Sequence, residues 1–227
     1  MAAVECSPNH LVLDESHVLS QELYASVFGE ARSSTHGNIT QLFDVSTITE
    51  NPLLYRKVID FLAQRYRAMG KAGPTHILSL ESRGYVIGAP LAVELGISFV
   101  MCHTTKRFPS SFVHEDKNLN YLPPSYSIRN GSLSSDARVV VADDFIATGQ
   151  SLISVLQLIE DIVGAKVVEV VVVCDVPLLN GVAAVHKTEG VRFRKTPIFA
   201  LMHPNTSQKT IQDQLVAHSA LVTRSRL

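Results

Sequence analysis

Residues 139–151 read VVVADDFIATGQS, and this stretch decides the fold class. Val139, Val140 and Val141 form a β-branched apolar run, the pattern of a strand covered on both faces. Asp143 and Asp144 follow at its carboxyl end, the edge where open α/β sheets bind ligands. Ala147, Thr148, Gly149, Gln150 and Ser151 then lead into a helix N-terminus, whose free N–H groups and dipole attract an anion. Small side chains let a phosphate approach the backbone, and Thr148 and Ser151 add hydroxyl donors. Two carboxylates beside a phosphate cradle predict a ligand with both a phosphate and hydroxyls, such as a ribose phosphate. The competing reading, an ordinary turn with the acids as a solvated cap, fits a lone Asp-Asp better than this whole ordered run.

Outward from this stretch, strands and helices alternate. His76 to Leu80 reads as a strand, Tyr85 to Leu95 as a helix ending at Gly96, and Ile97 to Cys102 as a strand. A helix with Leu152, Val155, Leu156 and Ile159 on one face follows the phosphate turn, and Lys166 to Cys174 and Ile198 to Met202 supply further strands. This alternation predicts an α/β fold, a mostly parallel sheet flanked by helices. The N-terminal third reads as helix-rich. Asn51-Pro52 starts a helix with Leu54, Val58, Phe61 and Leu62 on its apolar face, and Gly70 can stop it. Lys106 to Asn130, with Pro109, Pro123 and Pro124, reads as a long mobile loop.

At 227 residues the chain suffices for one domain, spanning 1–227, with a polar extension at 204–227. A net charge of −1 makes no electrostatic case for nucleic acid or an anionic membrane as a partner. Cys6, Cys102 and Cys174 match no metal spacing and point to a reducing compartment. The apolar run Val167 to Cys174 is interrupted by Glu169 and is too short to span a bilayer. No secretory signal is expected from the N-terminal residues.

A second motif, LESRGYVIG at Leu80 to Gly88, places Ser82, Arg83 and Gly84 between a strand and a helix. Arg83 can bridge two oxygens of a pyrophosphate, and Gly84 lets backbone N–H groups approach it. VVVADDFIATG resembles the phosphoribosyl pyrophosphate (PRPP) motif of the type I phosphoribosyltransferases. Together with ESRGYVIGAPLAVELGISFV it is similar to the adenine phosphoribosyltransferase family, over roughly Phe43 to Met202. The resemblance implies the type I fold with a small N-terminal hood at 1–45, and transfer of a phosphoribosyl group from PRPP to adenine. AMP and pyrophosphate would be the products, with Mg²⁺ as cofactor and a homodimer as the assembly.

By the same resemblance Asp143, Asp144 and Arg83 form the catalytic group. Ser82 and Gly84 would hold pyrophosphate, and residues 147–151 the 5′-phosphate. No protein group ligates the metal directly; PRPP would carry Mg²⁺, with a water link to Asp143. Leu42 and Phe145 fall where the family sandwiches the base, and Phe43-Asp44 where it has Arg-Asp.

Four positions depart from the family pattern. His103 and Thr104 replace an Arg-Lys pair that grips pyrophosphate, with Lys106 and Arg107 following as possible substitutes. Asn120-Tyr121-Leu122 replaces Glu-Tyr-Gly; Tyr121 can still cover the site, but Asn120 cannot act as an acid. Phe43 removes a cation, and Gln150-Ser151 replaces Gly-Thr. Two alternatives therefore stay open: a homologue that binds PRPP or AMP as a sensor or partner subunit without turnover, and an enzyme for a 6-oxopurine. Neither His36 nor His103 is assigned a catalytic role. Ser225-Arg226-Leu227 resembles a Ser-Lys-Leu address, which predicts a peroxisomal import receptor as partner and a peroxisome-like organelle, the glycosome, as location.

Overall fold

The computed structural model describes residues 3–29, 45–104, 111–114, 126–188 and 192–204. Its core is a seven-stranded sheet in the order β1 (Ala3–Ser7), β2 (His10–Leu13), β9 (Ile198–Met202), β8 (Lys166–Asp175), β7 (Arg138–Ile146), β3 (His76–Leu80) and β4 (Ser98–Cys102). The opening motif supplies β7 (Arg138–Ile146), flanked by β3 (His76–Leu80) and β8 (Lys166–Asp175). Beyond these lie β4 (Ser98–Cys102) and β9 (Ile198–Met202). Every neighbouring pair from β2 to β4 is parallel; only β1 and β2 run antiparallel.

The valine run explains the layering. Val139 and Val141 point into a cluster with Leu152, Val155 and Leu156 of α5 (Gln150–Gln157). Val140 and Ala142 point the other way, into a cluster fed by α1 (Val18–Gly29), α3 (Pro52–Arg67) and α4 (Gly84–Leu95). Consecutive valines are thus buried on opposite faces, each burial contributing about 1.5–3 kcal/mol. Asn51 caps α3 as expected, its side chain accepting from the Leu54 N–H at 3.1 Å. Gly96 ends α4 with φ of +66°, in the left-handed region that glycine tolerates.

Four expectations are revised. The strand expected over Val139–Val141 continues to Ile146, because β8 keeps pairing with it up to Ile146↔Asp175. On its other side β3 stops pairing at Ser79↔Ala142, so Asp143 and Asp144 emerge just past that edge. The helix-rich N-terminal third also holds two strands, β1 (Ala3–Ser7) and β2 (His10–Leu13). β2 docks on β9, so residues 3–29 of the expected hood share the main sheet and its core. A short helix α2 (Ser46–Glu50) precedes α3. Finally, the expected loop 106–130 contains an antiparallel pair, β5 (Ser111–His114) and β6 (Tyr126–Arg129). Tyr126, Ser127 and Ile128 are buried, and His103 bridges to Ser127 with reciprocal backbone hydrogen bonds of 2.8 Å.

Glu169, the charge that interrupts the apolar run, has a partner. A register shift between Val139 and Val140 in the β7–β8 pairing marks a bulge, which turns Glu169 toward α3. There Arg65 Nε lies 2.7 Å from one carboxylate oxygen, and its terminal nitrogen 2.6 Å from the other. The pair is buried beneath Phe199, whose ring centre is 4.1 Å from the guanidinium carbon. No helix among the described residues is long and apolar enough to cross a membrane. The polar tail after Pro204 lies outside the described residues, as does the Ser225-Arg226-Leu227 terminus.

Candidate active site

A cavity of about 260 Å³ opens at the carboxyl edge of β7. Ser82 and Arg83 line one end, Asp143, Asp144 and Phe145 the floor, and residues 147–151 the far end. The two motifs, some sixty residues apart in the chain, therefore face one space. Ala147, Thr148, Gln150 and Ser151 are exposed toward solvent, while Gly149 is buried with φ of +79°. That left-handed glycine starts α5 and leaves the helix's first N–H groups without intrahelical partners, the arrangement that binds a phosphate.

The turn is also shaped from behind. A Cβ on Gly181, at the start of α6 (Gly181–Lys187), would sit 2.2 Å from the Ala147 carbonyl oxygen. The reading of the sequence missed Gly181, since nothing local marks a glycine thirty residues beyond the turn. Gly181→Ala must displace backbone, so the expected result is a stability loss of about 1–3 kcal/mol by denaturant unfolding. If half of that strain falls on the turn, AMP affinity drops by about two- to tenfold in a calorimetric titration.

Gly84 is required for a similar reason. A Cβ there would lie 2.8 Å from Asp143 Oδ1 and 2.9 Å from the Ala142 carbonyl oxygen. The N-terminus of α4 can thus press against the acids only because residue 84 has no side chain.

The acids themselves are held by the backbone. The Asp144 N–H donates to Asp143 Oδ1, and the Phe145 N–H to Asp144 Oδ1, both at 2.9 Å. Arg83 Nε lies 2.7 Å from Asp144 Oδ2, with Asp144 buried and Arg83 exposed. The same guanidinium carbon is 5.7 Å from the centre of the Phe145 ring. Burial, and then the negative charge of Asp144, push the Asp143 carboxyl well above the usual carboxylate range.

A raised carboxyl holds its proton more tightly in the folded than in the unfolded chain. Its stabilising effect is complete at low pH and is lost as pH rises from the ordinary carboxylate range through the raised value. Asp143→Asn, neutral throughout, is therefore expected to raise the melting temperature of the ligand-free protein at pH 8. The gain should shrink on acidification; a melting curve lowered at every pH contradicts it.

His103 and Thr104 do not point a cation into the cavity. The Thr104 N–H donates to Glu81 Oε2 at 3.2 Å, and His103 Nδ1 is 3.5 Å from the same oxygen. The Tyr85 hydroxyl donates to the Cys102 carbonyl at 3.0 Å and lies 3.3 Å from His103 Nδ1. These contacts clasp Glu81, directly before Ser82, and the Glu81–Ser82 peptide is cis. His103 and Thr104 thus hold the Ser82–Gly84 turn in place. Tyr126 is a second lining residue that sequence reading missed. It is buried, its phenol faces the Ser151 hydroxyl, and burial raises its pKa. Leu42, Phe43, Lys106, Arg107, Asn120 and Tyr121 lie outside the described residues.

A parallel sheet carrying paired acids, a phosphate turn and an Arg-Gly turn at one edge defines a protein that handles ribose phosphates. Residues 44–190 match the model of the phosphoribosyl transferase domain, and the chain belongs to that family. Its relatives there are adenine phosphoribosyltransferases. That of Shewanella sp. strain W3-18-1 is 35% identical over 140 residues, 62% of this chain and 74% of its own length. Among solved structures, adenine phosphoribosyltransferase from Leishmania tarentolae superposes with a TM-score of 0.79 at 35% identity, covering 92% of this chain and 97% of that one. The Trypanosoma brucei enzyme, solved with AMP, pyrophosphate and ribose-5-phosphate, gives 0.77 at 30% identity, covering 92% and 90%.

Proposed function

We propose that this chain is an adenine phosphoribosyltransferase, joining adenine to the ribose of PRPP to give AMP and pyrophosphate in purine salvage. The observation that carries the reading is the single cavity shared by Arg83, Asp143, Asp144 and the 147–151 turn. In the reaction the bond from the anomeric carbon to the pyrophosphate oxygen breaks, a bond to the purine nitrogen forms, and that nitrogen loses its proton. Positive charge develops on the ribose ring as pyrophosphate departs, and the paired carboxylates lie where they stabilise it. Asp143 and Asp144 accept from the ribose hydroxyls. Thr148, Ser151 and the first N–H groups of α5 hold the 5′-phosphate. Arg83 and the backbone around Gly84 hold pyrophosphate, so Arg83 must loosen from Asp144 when substrate enters. Fixing both phosphates aligns the anomeric carbon with the base.

The base lies against Phe145, with Leu42 on its other face. Lys106, Tyr121 and Phe43 complete that side of the reading. The site is compatible with Mg²⁺ carried by the diphosphate of PRPP, with Asp143 linked to the ion through water and no protein group ligating it directly. Bound there, it would neutralise the departing pyrophosphate.

Folded protein incubated with adenine, PRPP and Mg²⁺ should form AMP, and hypoxanthine and guanine should compete weakly. Stabilisation by AMP without any turnover would identify a silent binding homologue instead. A homodimer belongs to the same proposal; exposed Val93 and Met101 offer apolar surface for a second copy, and light scattering tests it. So does import into a glycosome-like organelle through Ser225-Arg226-Leu227, which deletion of these three residues in a tagged protein tests.

A further inference from the structure

At the same sheet edge, beyond the phosphate turn, three residues from distant parts of the chain converge. They are His10 at the start of β2, Asp175 at the end of β8 and His203 directly after β9. Parallel pairing sets Asp175 and His203 side by side just past the in-register residues Cys174 and Met202, and the His10 side chain reaches them from β2, where His10 pairs with Ile198. His10 Nε2 is 2.8 Å from Asp175 Oδ2, and His203 Nδ1 is 2.8 Å from both carboxylate oxygens. One donor atom from each residue lies within 4.8 Å of the others. A cavity of about 260 Å³ opens onto the group, bounded also by Cys6, Asn180 and Gly181.

Two features set this group apart from a surface cluster. His10 and Asp175 are 5% and 2% exposed, so the donors are buried at the base of a cavity. In addition, His10 Nε2 has no hydrogen-bond partner among the described residues, although the carboxylate is 2.8 Å away. The nitrogen faces the carboxylate without meeting the geometry of an N–H···O bond. A cation between the two would use the lone pair of a neutral imidazole.

The donor set selects the ion. Two imidazole nitrogens and one carboxylate oxygen suit Zn²⁺, which is held at many sites by three protein ligands with a fourth position open. Mg²⁺ and Ca²⁺ demand a shell of oxygens that these residues do not supply. The His203 backbone is anchored as well, its main-chain N–H donating to the Tyr24 hydroxyl at 3.1 Å.

We propose that His10, Asp175 and His203 form a binding site for a zinc-class divalent cation, separate from the Mg²⁺ that travels with PRPP. The site joins three strands and borders the phosphate turn. The Val176 N–H donates to the Ile146 carbonyl at 2.9 Å, and Gly181 backs onto Ala147. The ion therefore braces the wall on which the 5′-phosphate turn rests.

The test is a calorimetric titration of chelator-stripped, full-length protein with zinc chloride, without nucleotide. One equivalent should bind, and Co²⁺ in its place should give the visible absorption of a four-coordinate site. Loss of a mere outer-shell partner weakens metal binding 10–100-fold, so His10→Asn and His203→Asn should each weaken Zn²⁺ by about 100-fold. His17→Asn, a histidine outside the group, should leave it unchanged. Absence of saturable binding to the wild type overturns the proposal and leaves a hydrogen-bonded His-Asp-His cluster. Wild-type affinity retained in folded His203→Asn also overturns it. That variant carries the test if His10→Asn does not fold, because the His203 side chain is 25% exposed and tolerates change better.

Discussion

Asp144→Asn is expected to lower kcat/KM for PRPP by about 10²–10³-fold, the usual cost of losing one preorganised electrostatic group at a reacting centre. The substitution keeps the shape of the side chain and the hydrogen bond its Oδ1 accepts from the Phe145 N–H. In the proposed reaction it removes a charge set against the ribose as pyrophosphate leaves, and it removes the ion contact of 2.7 Å between Arg83 and Asp144. Both losses fall on the chemical step more than on the fold. Circular dichroism and thermal melting should therefore stay close to wild type while AMP formation collapses. A rate within threefold of wild type would mean that Asp144 serves only to hold Arg83. In that event Arg83→Gln, which removes the proposed pyrophosphate contact, should still lower the rate.

Arg65→Met is expected to cost about 3–5 kcal/mol of stability, because it strands a buried carboxylate. Glu169 is 1% exposed, and Arg65 supplies its two shortest contacts. Tyr66 offers only a hydroxyl at 3.4 Å in compensation. The double replacement Arg65→Met/Glu169→Leu should recover most of the loss, since apolar side chains of similar volume can replace a buried ion pair at little cost. Denaturant unfolding of the three proteins measures this directly. Equal losses in the single and double variants would show that packing against Phe199, and not the charge pair, holds α3 to the sheet.

The strands that the sequence makes legible are those with long local patterns. β7 follows from consecutive valines, and β3 and β9 match their expected spans because short segments rich in apolar residues end at clear breaks. β1 and β2 escape notice because they are short and β9, the strand on which β2 docks, lies nearly two hundred residues away. β6 is hidden by Pro123 and Pro124 just before it, which give the segment a loop's composition. Within the site, the acids and the phosphate turn are legible because each is contiguous and chemically distinctive. His103 shows the opposite case. Its identity suggests a lost pyrophosphate contact, whereas its role as a clasp on Glu81 depends on Tyr85 and on pairing with Ser127. Gly181, Tyr126 and the His10–Asp175–His203 group depend likewise on which strands become neighbours.

The docking of β2 on β9 bears on how the chain reaches its folded state. His10 pairs with Ile198, and Val12 with Ala200, so the N-terminal hairpin has no sheet to join until residues 198–202 have left the ribosome. The helix α1, whose Leu19, Leu23 and Val27 pack in the same cluster as Phe199 and Leu201, waits with it. Such long-range closure is intrinsically slow and leaves apolar surface uncovered during synthesis. The half of the sheet that bears Arg83, Asp143 and the phosphate turn can assemble earlier, from segments closer together in the chain. Residues 3–29 are therefore among the last to settle, and the nascent protein carries a nearly formed candidate site before the edge of its sheet is sealed.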